Sequence, residues 1–375
     1  MAQKRGGRRR KQKMKIAIMT FPNSKSIGAS LQMYSLYKVL TDMGHAVEVL
    51  NYNPPNLHGQ LTAPAKKGTQ KVKEKIKTML IHCIVPSSGK AFARFERKIH
   101  KFPETPTSST EDLKVLAERY DRFFVGSDQV WNYDVTGHDF NFYLEFCQES
   151  RKKASYAASF GYNDVCENEK TRIADLLNDF SYLSVREIQG QKIVNSLTGK
   201  NPALVLDPTL LIDEKKLKEV MIPYTRNKGY VLFYNIKQSA HLLEVAKNFA
   251  EEHNYILVKI GGRVKDRFRK DLCVEYDVGP AEFLGLVNGA EYVFTNSFHG
   301  FAISLAMERN VYVEYSTDTN SRLTNMVDVF ELEKNVVLQN TDRVEAIEID
   351  YAKINKKLHE LRDQSMSFVY EATQE

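Results

Sequence analysis

The sequence predicts an α/β protein made of two Rossmann-like domains with a central cleft. Short apolar stretches alternate along the chain with segments whose apolar residues recur at helical spacing, which is typical of parallel sheets covered by helices. The chain has 375 residues, 42% of them hydrophobic, which is enough for two cores of ordinary size. A charged segment with two prolines, residues 207–228, separates two halves of similar size and suits a connection between domains.

The first half, residues 14–206, opens with a strand, a helix and a second strand. Residues 15–20 are apolar, residues 28–43 have helical spacing, and Gly44 ends that helix before a strand at 46–50. Such an opening implies parallel strands. Further strands are predicted at 122–125, 153–157, 182–185 and 203–206, and helices at 168–180 and 187–197.

Two segments depart from this pattern. Residues 53–101 contain several prolines, glycines and lysines and are predicted to form a long insertion with one or two basic helices. Residues 1–13 hold seven basic residues and no acidic one, so the remaining 46 basic and 47 acidic residues leave the body nearly neutral. A basic tail suits nucleic acid or an anionic membrane surface, but we favour a disordered extension and no nucleic-acid role, because the body lacks basic stripes with interleaved aromatics.

The second half, residues 207–345, repeats the alternation. Strands are predicted at 230–235, 255–259, 274–276, 292–295 and 311–314, and helices at 241–252, 281–288, 301–308 and 321–330. Residues 346–375 include an amphipathic helix at 350–370 that we expect to pack back on the body. Two such halves place a ligand in the crevice between them, at the carboxyl ends of the strands.

Composition disfavours several classes of protein. No apolar run approaches the length of about 20 residues that a membrane span needs, and the N-terminus has no apolar stretch of signal-peptide type. We therefore expect a cytoplasmic protein with at most peripheral membrane association. Cys83, Cys147, Cys166 and Cys273 are scattered without metal-ligand spacing, so we expect reduced thiols and no metal site.

The most informative segment is TNSFHG, residues 295–300, between an apolar strand and a helix. A strand that turns through Ser297, His299 and Gly300 into a helix presents backbone N–H groups and an imidazole at one helix N-terminus, where an anion binds favourably. Histidine also exchanges protons near neutral pH. The alternative is a plain turn or capping residue.

Polar residues also follow the other predicted strands, and each alone suits a cap, a turn or core packing. Their joint placement at strand ends favours a site. An indole face beside a carboxylate and two amides is chemically suited to a sugar ring. The residues are Asn23, Gly28, Ser30 and Gln32 after the first strand, Asp128, Gln129, Trp131 and Asn132 after the third, and Arg186, Asp207 and Lys259 after later ones.

Seven motifs in order resemble the polysaccharide pyruvyl transferase family. They are GASLQMYSL, GSDQVWN, YAASFG, SVRE, DPTLL, EFLGLVNGAEYVFTNSFHGFAISLA and SRLTNM, and the resemblance runs from about residue 14 to 332. The resemblance implies a GT-B-like enzyme that transfers pyruvate from phosphoenolpyruvate to a sugar as a ketal, with no further cofactor. It also implies that His299 is the catalytic acid and that arginines bind the donor.

The chain departs from one common form of this family at the loop. Many relatives have Arg-Leu-His-Gly where this chain has Ser297-Phe298-His299-Gly300, so the loop arginine is missing. We expect Arg186, Lys259 and Arg322 to supply the positive charge, together with Ser297 and Gly300 at the helix N-terminus. Asp128 is expected to be an acceptor ligand or base, and Gln32, Gln129, Trp131 and Asn132 are expected to bind the acceptor sugar, free or lipid-linked.

Two other functions remain open from the residues. A GT-B glycosyltransferase would bind a nucleotide sugar at the same helix N-terminus and hold its ribose with an acidic residue, for which Glu314 and Asp318 are candidates. A non-catalytic member of the fold is the second alternative, because the loop arginine is missing.

Overall fold

The computed structural model describes residues 13–22, 24–54, 89–99, 106–262, 266, 268–315 and 321–374. Residues 1–12 of the basic tail, Asn23, Asp318 and most of the expected insertion at 53–101 therefore lie outside the described residues. Within them, the chain forms two α/β halves, each built on a parallel sheet.

The N-terminal sheet has the strand order β2-β1-β3-β4, and its neighbouring strands are parallel. Its strands are β1 (Lys15–Met19), β2 (Ala46–Val49), β3 (Arg122–Val125) and β4 (Lys153–Ser155). Two shorter strands, β5 (Ser184–Val185) and β6 (Ala203–Leu204), pair in parallel beside it, and bridges from Ala154 and Ala158 join them to β4. All four residues of β3 are buried, as expected for a strand covered on both faces.

Helices cover this sheet and also occur where the sequence predicted an insertion. They are α1 (Ile27–Asp42), α2 (Gly89–Ile99), α3 (Thr110–Ala117), α4 (Tyr133–Thr136), α5 (Lys170–Asn178) and α6 (Ile188–Thr198). Ser26 caps α1 by accepting from the backbone N–H of Ala29 at 3.4 Å. The short helices α3 and α4 were not predicted, since each has too few turns for a clear periodicity.

The expected connection at 207–228 contains two short helices, α7 (Pro208–Leu211) and α8 (Glu214–Val220). Asp207 is the N-cap of α7, with Pro208 in its first turn, and its carboxylate accepts from the backbone N–H of Thr209 at 3.0 Å. The Asp-Pro pair therefore begins a buried helix instead of an exposed turn.

The C-terminal sheet has the order β11-β10-β7-β8-β9, again parallel throughout. Its strands are β7 (Tyr230–Tyr234), β8 (Ile256–Ile260), β9 (Cys273–Glu275), β10 (Tyr292–Thr295) and β11 (Asn310–Val313). The chain reverses direction across the sheet between β7 and β10, and a cleft opens at the carboxyl ends of strands at such a point. The helices are α9 (Ala240–Glu252), α10 (Pro280–Asn288), α11 (Phe298–Ala306) and α12 (Ser321–Phe330).

The last helix, α13 (Tyr351–Ala372), spans both halves. Near its start, the Tyr351 hydroxyl donates to the backbone oxygen of Arg309 at 2.6 Å in the C-terminal half. Further along, the Ser365 hydroxyl accepts from the backbone N–H of Leu206 at 3.0 Å. No helix among the described residues is long and apolar enough to cross a membrane.

Candidate active site

Helix α11 starts three residues earlier than predicted, at Phe298 instead of 301. The Ser297 hydroxyl accepts from the backbone N–H of Gly300 at 3.1 Å and caps the helix. A Cβ on Gly300 would overlap the Thr295 hydroxyl, so glycine is needed for this close turn. His299 therefore lies in the first turn of a helix whose N-terminus faces the cleft.

His299 is buried between the two halves, with 7% of its surface exposed. Its ring lies against Gly28 at the start of α1, where a Cβ would overlap the imidazole. Its Nε2 atom is 3.7 Å from Oδ2 of Asp207 and makes no hydrogen bond. Gly28, which the sequence places after the first strand, thus makes room for the imidazole.

Asp207 contacts both His299 and Arg186. The sequence placed it among the polar residues that follow strands, but we gave it no role there. Its Oδ2 accepts from Nη1 of Arg186 at 2.7 Å and from the hydroxyl of Ser127 at 2.8 Å. Burial alone would raise the pKa of Asp207, but the neighbouring His299 and Arg186 outweigh it and hold that pKa well below its usual range. Its place after a strand was visible in the sequence, but its partners lie 80 and 21 residues away in the chain.

Two arginines from different elements face the ring of Phe298. The guanidinium carbon of Arg186 lies 4.6 Å from the ring centroid, and that of Arg322, on α12, lies 6.0 Å from it. Arg186 Nε and Nη2 are buried without a hydrogen bond, and Nε lies 3.6 Å from the buried carboxylate of Glu187. Burial and the nearby Arg186 lower the pKa of Arg322, which has no hydrogen bond or ion pair to the described residues. Unsatisfied cationic donors of this kind favour an anionic ligand.

A cavity of about 320 Å³ opens beside these groups. It brings together several predicted site residues from both halves. They are Asp128, Gln129, Ser297, His299 and Arg322, with Ser24, Ser26, Lys237 and Asn296 among the other polar lining residues. A second, smaller cavity of about 180 Å³ shares Phe298 and Arg322 with the first. It is lined also by Arg186 and Asp207, and otherwise mainly by apolar side chains of α12, α13 and the segment after β6.

Asp128 reaches the cavity from a strained backbone position. Its φ is 78°, in the left-handed region, and its Oδ1 accepts from the backbone N–H of Gln129 at 2.9 Å. The Gln129 side chain makes no hydrogen bond to any described residue. Both side chains are partly exposed at the cavity, so they are available to a ligand.

Trp131 lies in the hydrophobic core, which corrects the expectation of an indole platform for sugar. The side chain is 2% exposed, its ring stacks on Tyr143 at 5.5 Å, and its Nε1 donates to the backbone oxygen of Phe142 at 3.1 Å. A ring packed in this way has no free face for a ligand.

Asn132 and Gln32 are also occupied inside the fold. The Asn132 side-chain oxygen caps α4 by accepting from the backbone N–H of Asp134 at 3.0 Å. Gln32 is fully buried, and its Nε2 donates to the Thr20 hydroxyl at 3.0 Å. Neither residue lines the 320 Å³ cavity.

Lys259 does not join His299. Its Nζ pairs with Asp266 at 3.0 Å, and it lines a different cavity, of about 710 Å³, at the carboxyl ends of β7 and β8. Lys259 does lie at the end of a strand, as predicted. However, β7 separates β8 from β10 in the sheet, so the end of β8 reaches another part of the cleft.

The family model of polysaccharide pyruvyl transferases matches residues 27–316, the bulk of this chain. The chain belongs to the polysaccharide pyruvyl transferase family. It is therefore a transferase, and the resemblance carried by its sequence motifs is confirmed. No curated protein sequence matches the chain.

Solved structures share the fold of this family member at low sequence identity. A putative UDP-N-acetylglucosamine 2-epimerase from Listeria monocytogenes has a TM-score of 0.50 and 12% identity, over 96% of this chain and 91% of that one. A glycosyltransferase from Rickettsia africae has a TM-score of 0.49 and 12% identity, over 95% and 94%. The GT-B-like class predicted from the sequence is confirmed.

One of the two acidic candidates for holding the ribose of a nucleotide sugar, Glu314, already has a partner in this family member, whereas Asp318 lies outside the described residues. Glu314 is 4% exposed and contacts Nδ1 of His241 at 2.8 Å, while Nε2 of the same ring lies 2.8 Å from the backbone oxygen of Thr341. Glu314 therefore offers no free carboxylate to a ribose. Among the described residues, no group of three or more His, Cys, Asp and Glu side chains is arranged to hold a metal ion.

Proposed function

We propose that the protein transfers pyruvate from phosphoenolpyruvate to two hydroxyls of one sugar in a cell-surface polysaccharide or its precursor, forming a ketal. The observation that carries this proposal is His299, whose Nε2 makes no hydrogen bond, together with Arg322 at a cavity shared by both halves, with Arg186 lining the second cavity on the Phe298 side. Membership of the family supports the same reaction class.

Phosphoenolpyruvate has a carboxylate and a phosphate, so its site needs several cationic or N–H donors. Arg322 and the two unsatisfied nitrogens of Arg186 supply cationic donors, and the N-terminus of α11 supplies a favourable field for an anion. These groups replace the arginine that many relatives have in the loop. Phe298 contacts both arginines and the His299 ring, whose centroid is 5.2 Å from its own.

Ketal formation begins with protonation of the enol methylene, which becomes a methyl group and leaves C2 oxocarbenium-like. In our proposal His299 donates this proton. The nearby carboxylate of Asp207 stabilises the protonated ring of His299 before the transfer. One sugar hydroxyl then adds to C2 and passes its proton to Asp128. The C2–O bond to phosphate then breaks, and phosphate leaves with that electron pair and takes up the proton held by Asp128. A second hydroxyl of the same sugar adds to C2, closes the ketal and gives its proton back to His299.

The first experiment needs only the donor. Thermal unfolding is measured with phosphoenolpyruvate and, separately, with UDP-, GDP- and CMP-sugars, because a ligand at 100 times its Kd stabilises by about 2.7 kcal/mol. We expect phosphoenolpyruvate to raise Tm, and Arg322→Gln to abolish that shift. A shift with nucleotide sugars alone would replace this proposal with glycosyl transfer.

A further inference from the structure

The exposed aromatic surface next to the cavity consists of Tyr133, His138 and Tyr162, which we call the tyrosine platform. The Tyr133 and Tyr162 ring centroids are 4.4 Å apart with an interplanar angle of 19°, and those of Tyr133 and His138 are 5.1 Å apart at 19°. Both tyrosines are half-buried and His138 is exposed, so the stacked rings leave part of their surface to solvent. This surface contrasts with Trp131, whose ring is enclosed by the core.

The platform is built from the two motif loops that border the cavity. Tyr133 directly follows GSDQVWN and begins α4, and Tyr162 directly follows YAASFG. The Tyr162 hydroxyl accepts from the backbone N–H of Asp134 at 3.3 Å, which ties the two loops together. The rings are thus held by the same loops that place Asp128 and Gln129 at the cavity.

Gln129 connects the cavity to the platform. It lines the cavity, and its side-chain amide lies against Gly161, where a Cβ would overlap it. Gly161 has a φ of 69° and is the residue before Tyr162. A chain of sugars that leaves the cavity over Gln129 therefore meets first a free amide and then an aromatic face.

We propose that the tyrosine platform binds the sugar unit next to the one that is modified, so that the acceptor is an oligosaccharide or longer glycan. This inference rests on the proposed pyruvyl transfer to a sugar. Sugar rings present C–H groups on one face and hydroxyls at their edges. The C–H groups can pack on the stacked tyrosines, and the hydroxyls can form hydrogen bonds with the amide of Gln129.

The experiment uses the full-length protein and pairs of methyl glycosides. Each pair contains one monosaccharide (galactose, glucose, mannose, N-acetylglucosamine or N-acetylmannosamine) and a disaccharide with that sugar at its non-reducing end. Phosphate release from phosphoenolpyruvate gives kcat and KM, and saturation-transfer NMR reports glycan binding without turnover. We expect at least one disaccharide to have a KM about threefold to tenfold below that of its monosaccharide, the range that an aromatic contact supplies.

Variants distinguish a contact between the sugar and the tyrosine rings from other roles of these side chains. Tyr162→Ala should remove the disaccharide preference by raising KM for the disaccharide to that of the monosaccharide, whereas Tyr133→Phe should keep the preference. Tyr370→Ala, which removes a 39% exposed tyrosine from α13, is the matched control and should change neither constant. Equal preferences in wild type and Tyr162→Ala, or no disaccharide that binds better than its monosaccharide, would overturn the inference.

Failure of the underlying reaction gives a different result. If phosphoenolpyruvate neither raises Tm nor releases phosphate with any acceptor, the proposed function fails. The NMR measurement still decides the platform in that case, since loss of disaccharide contact in Tyr162→Ala would support glycan binding by a protein with another chemistry.

Discussion

Two histidine–carboxylate pairs in this molecule resemble each other in composition and differ in how fully they are hydrogen-bonded. His241 faces Glu314 and the backbone oxygen of Thr341, each at 2.8 Å, so both ring nitrogens have partners within the C-terminal half. His299 faces Asp207, which follows β6 of the N-terminal sheet region, at 3.7 Å, and the Nε2 atom of His299 makes no hydrogen bond.

The difference separates a structural histidine from a reactive one. A ring whose two nitrogens are both occupied has no position from which to donate a proton to a substrate, and its hydrogen bonds contribute to stability instead. A ring that is buried, close to a carboxylate and incompletely hydrogen-bonded retains a nitrogen for chemistry. The four predictions below test this distinction, in order of decreasing expected effect.

Asp207→Ala should produce the largest effect, because it leaves the buried guanidinium of Arg186 without its 2.7 Å partner. We expect a loss of about 3–5 kcal/mol in the free energy of unfolding, as for other broken buried ion pairs. Urea denaturation measures it, with Glu314→Ala as the comparison at the other pair. A loss below about 1 kcal/mol would contradict the central place of Asp207 in the junction.

His299→Asn should lower kcat for phosphate release by about 100-fold or more, the usual contribution of a general acid. Urea denaturation of the same variant shows how much of the loss is structural, since His299 also helps to keep the buried Asp207 ionised. The matched variant His241→Asn should leave kcat unaltered. If both substitutions lowered kcat equally, the distinction between a structural and a reactive histidine would be wrong.

Gly28→Ala should reduce kcat by about tenfold, because the added methyl group displaces the imidazole and small misplacements of catalytic groups are costly. Alanine in a helix is otherwise favourable by about 1 kcal/mol relative to glycine. The double variant Gly28→Ala/His299→Asn should be no slower than His299→Asn alone. Additive losses would show that Gly28 acts through another group.

His241→Asn should destabilise the protein in a pH-dependent way. The hydrogen bond to Glu314 is the main cause that raises the pKa of His241 above its ordinary value of about 6.5. A raised pKa gives stabilisation that is fully present below about pH 6.5 and is lost as pH rises through the folded-state pKa.

We therefore expect His241→Asn to lower the unfolding free energy by about 1.5 kcal/mol at pH 5.5 and by less at pH 9. Urea denaturation at both values measures the difference. His359→Asn, at an exposed histidine of α13, is the control. A loss that is the same at both pH values would contradict the charged hydrogen bond to Glu314.

The sequence was sufficient for the parts of the structure that depend on local pattern. Apolar periodicity predicted the five strands of the C-terminal sheet within one or two residues, because most of them are short apolar runs followed by a helical period. The strand-to-helix turn at His299 was visible for the same reason. The short strand β5 was predicted too long, since it contains only Ser184 and Val185, and Tyr182 forms an isolated bridge to Ala154.

The sequence was insufficient wherever a residue's role depends on a distant partner. Trp131 and Tyr133 are two residues apart, yet one is enclosed by Tyr143 and the other stacks at the surface with Tyr162. Lys259 follows a strand just as His299 does, but the order of strands in the sheet separates them. Asp207 and Arg186 show the same limit, because their role arises only when the two halves meet.

Helix α13 has a mechanical consequence for this meeting point. The chain passes from one half to the other at 207–228 and returns through a 22-residue helix whose start contacts the C-terminal half and whose end contacts the N-terminal half. Because the chain connects the halves at two places, relative motion of the halves is restricted largely to rotation about the line through these two connections. Because the 3.7 Å separation between His299 and Asp207 spans the same boundary, this distance changes when the angle between the halves changes.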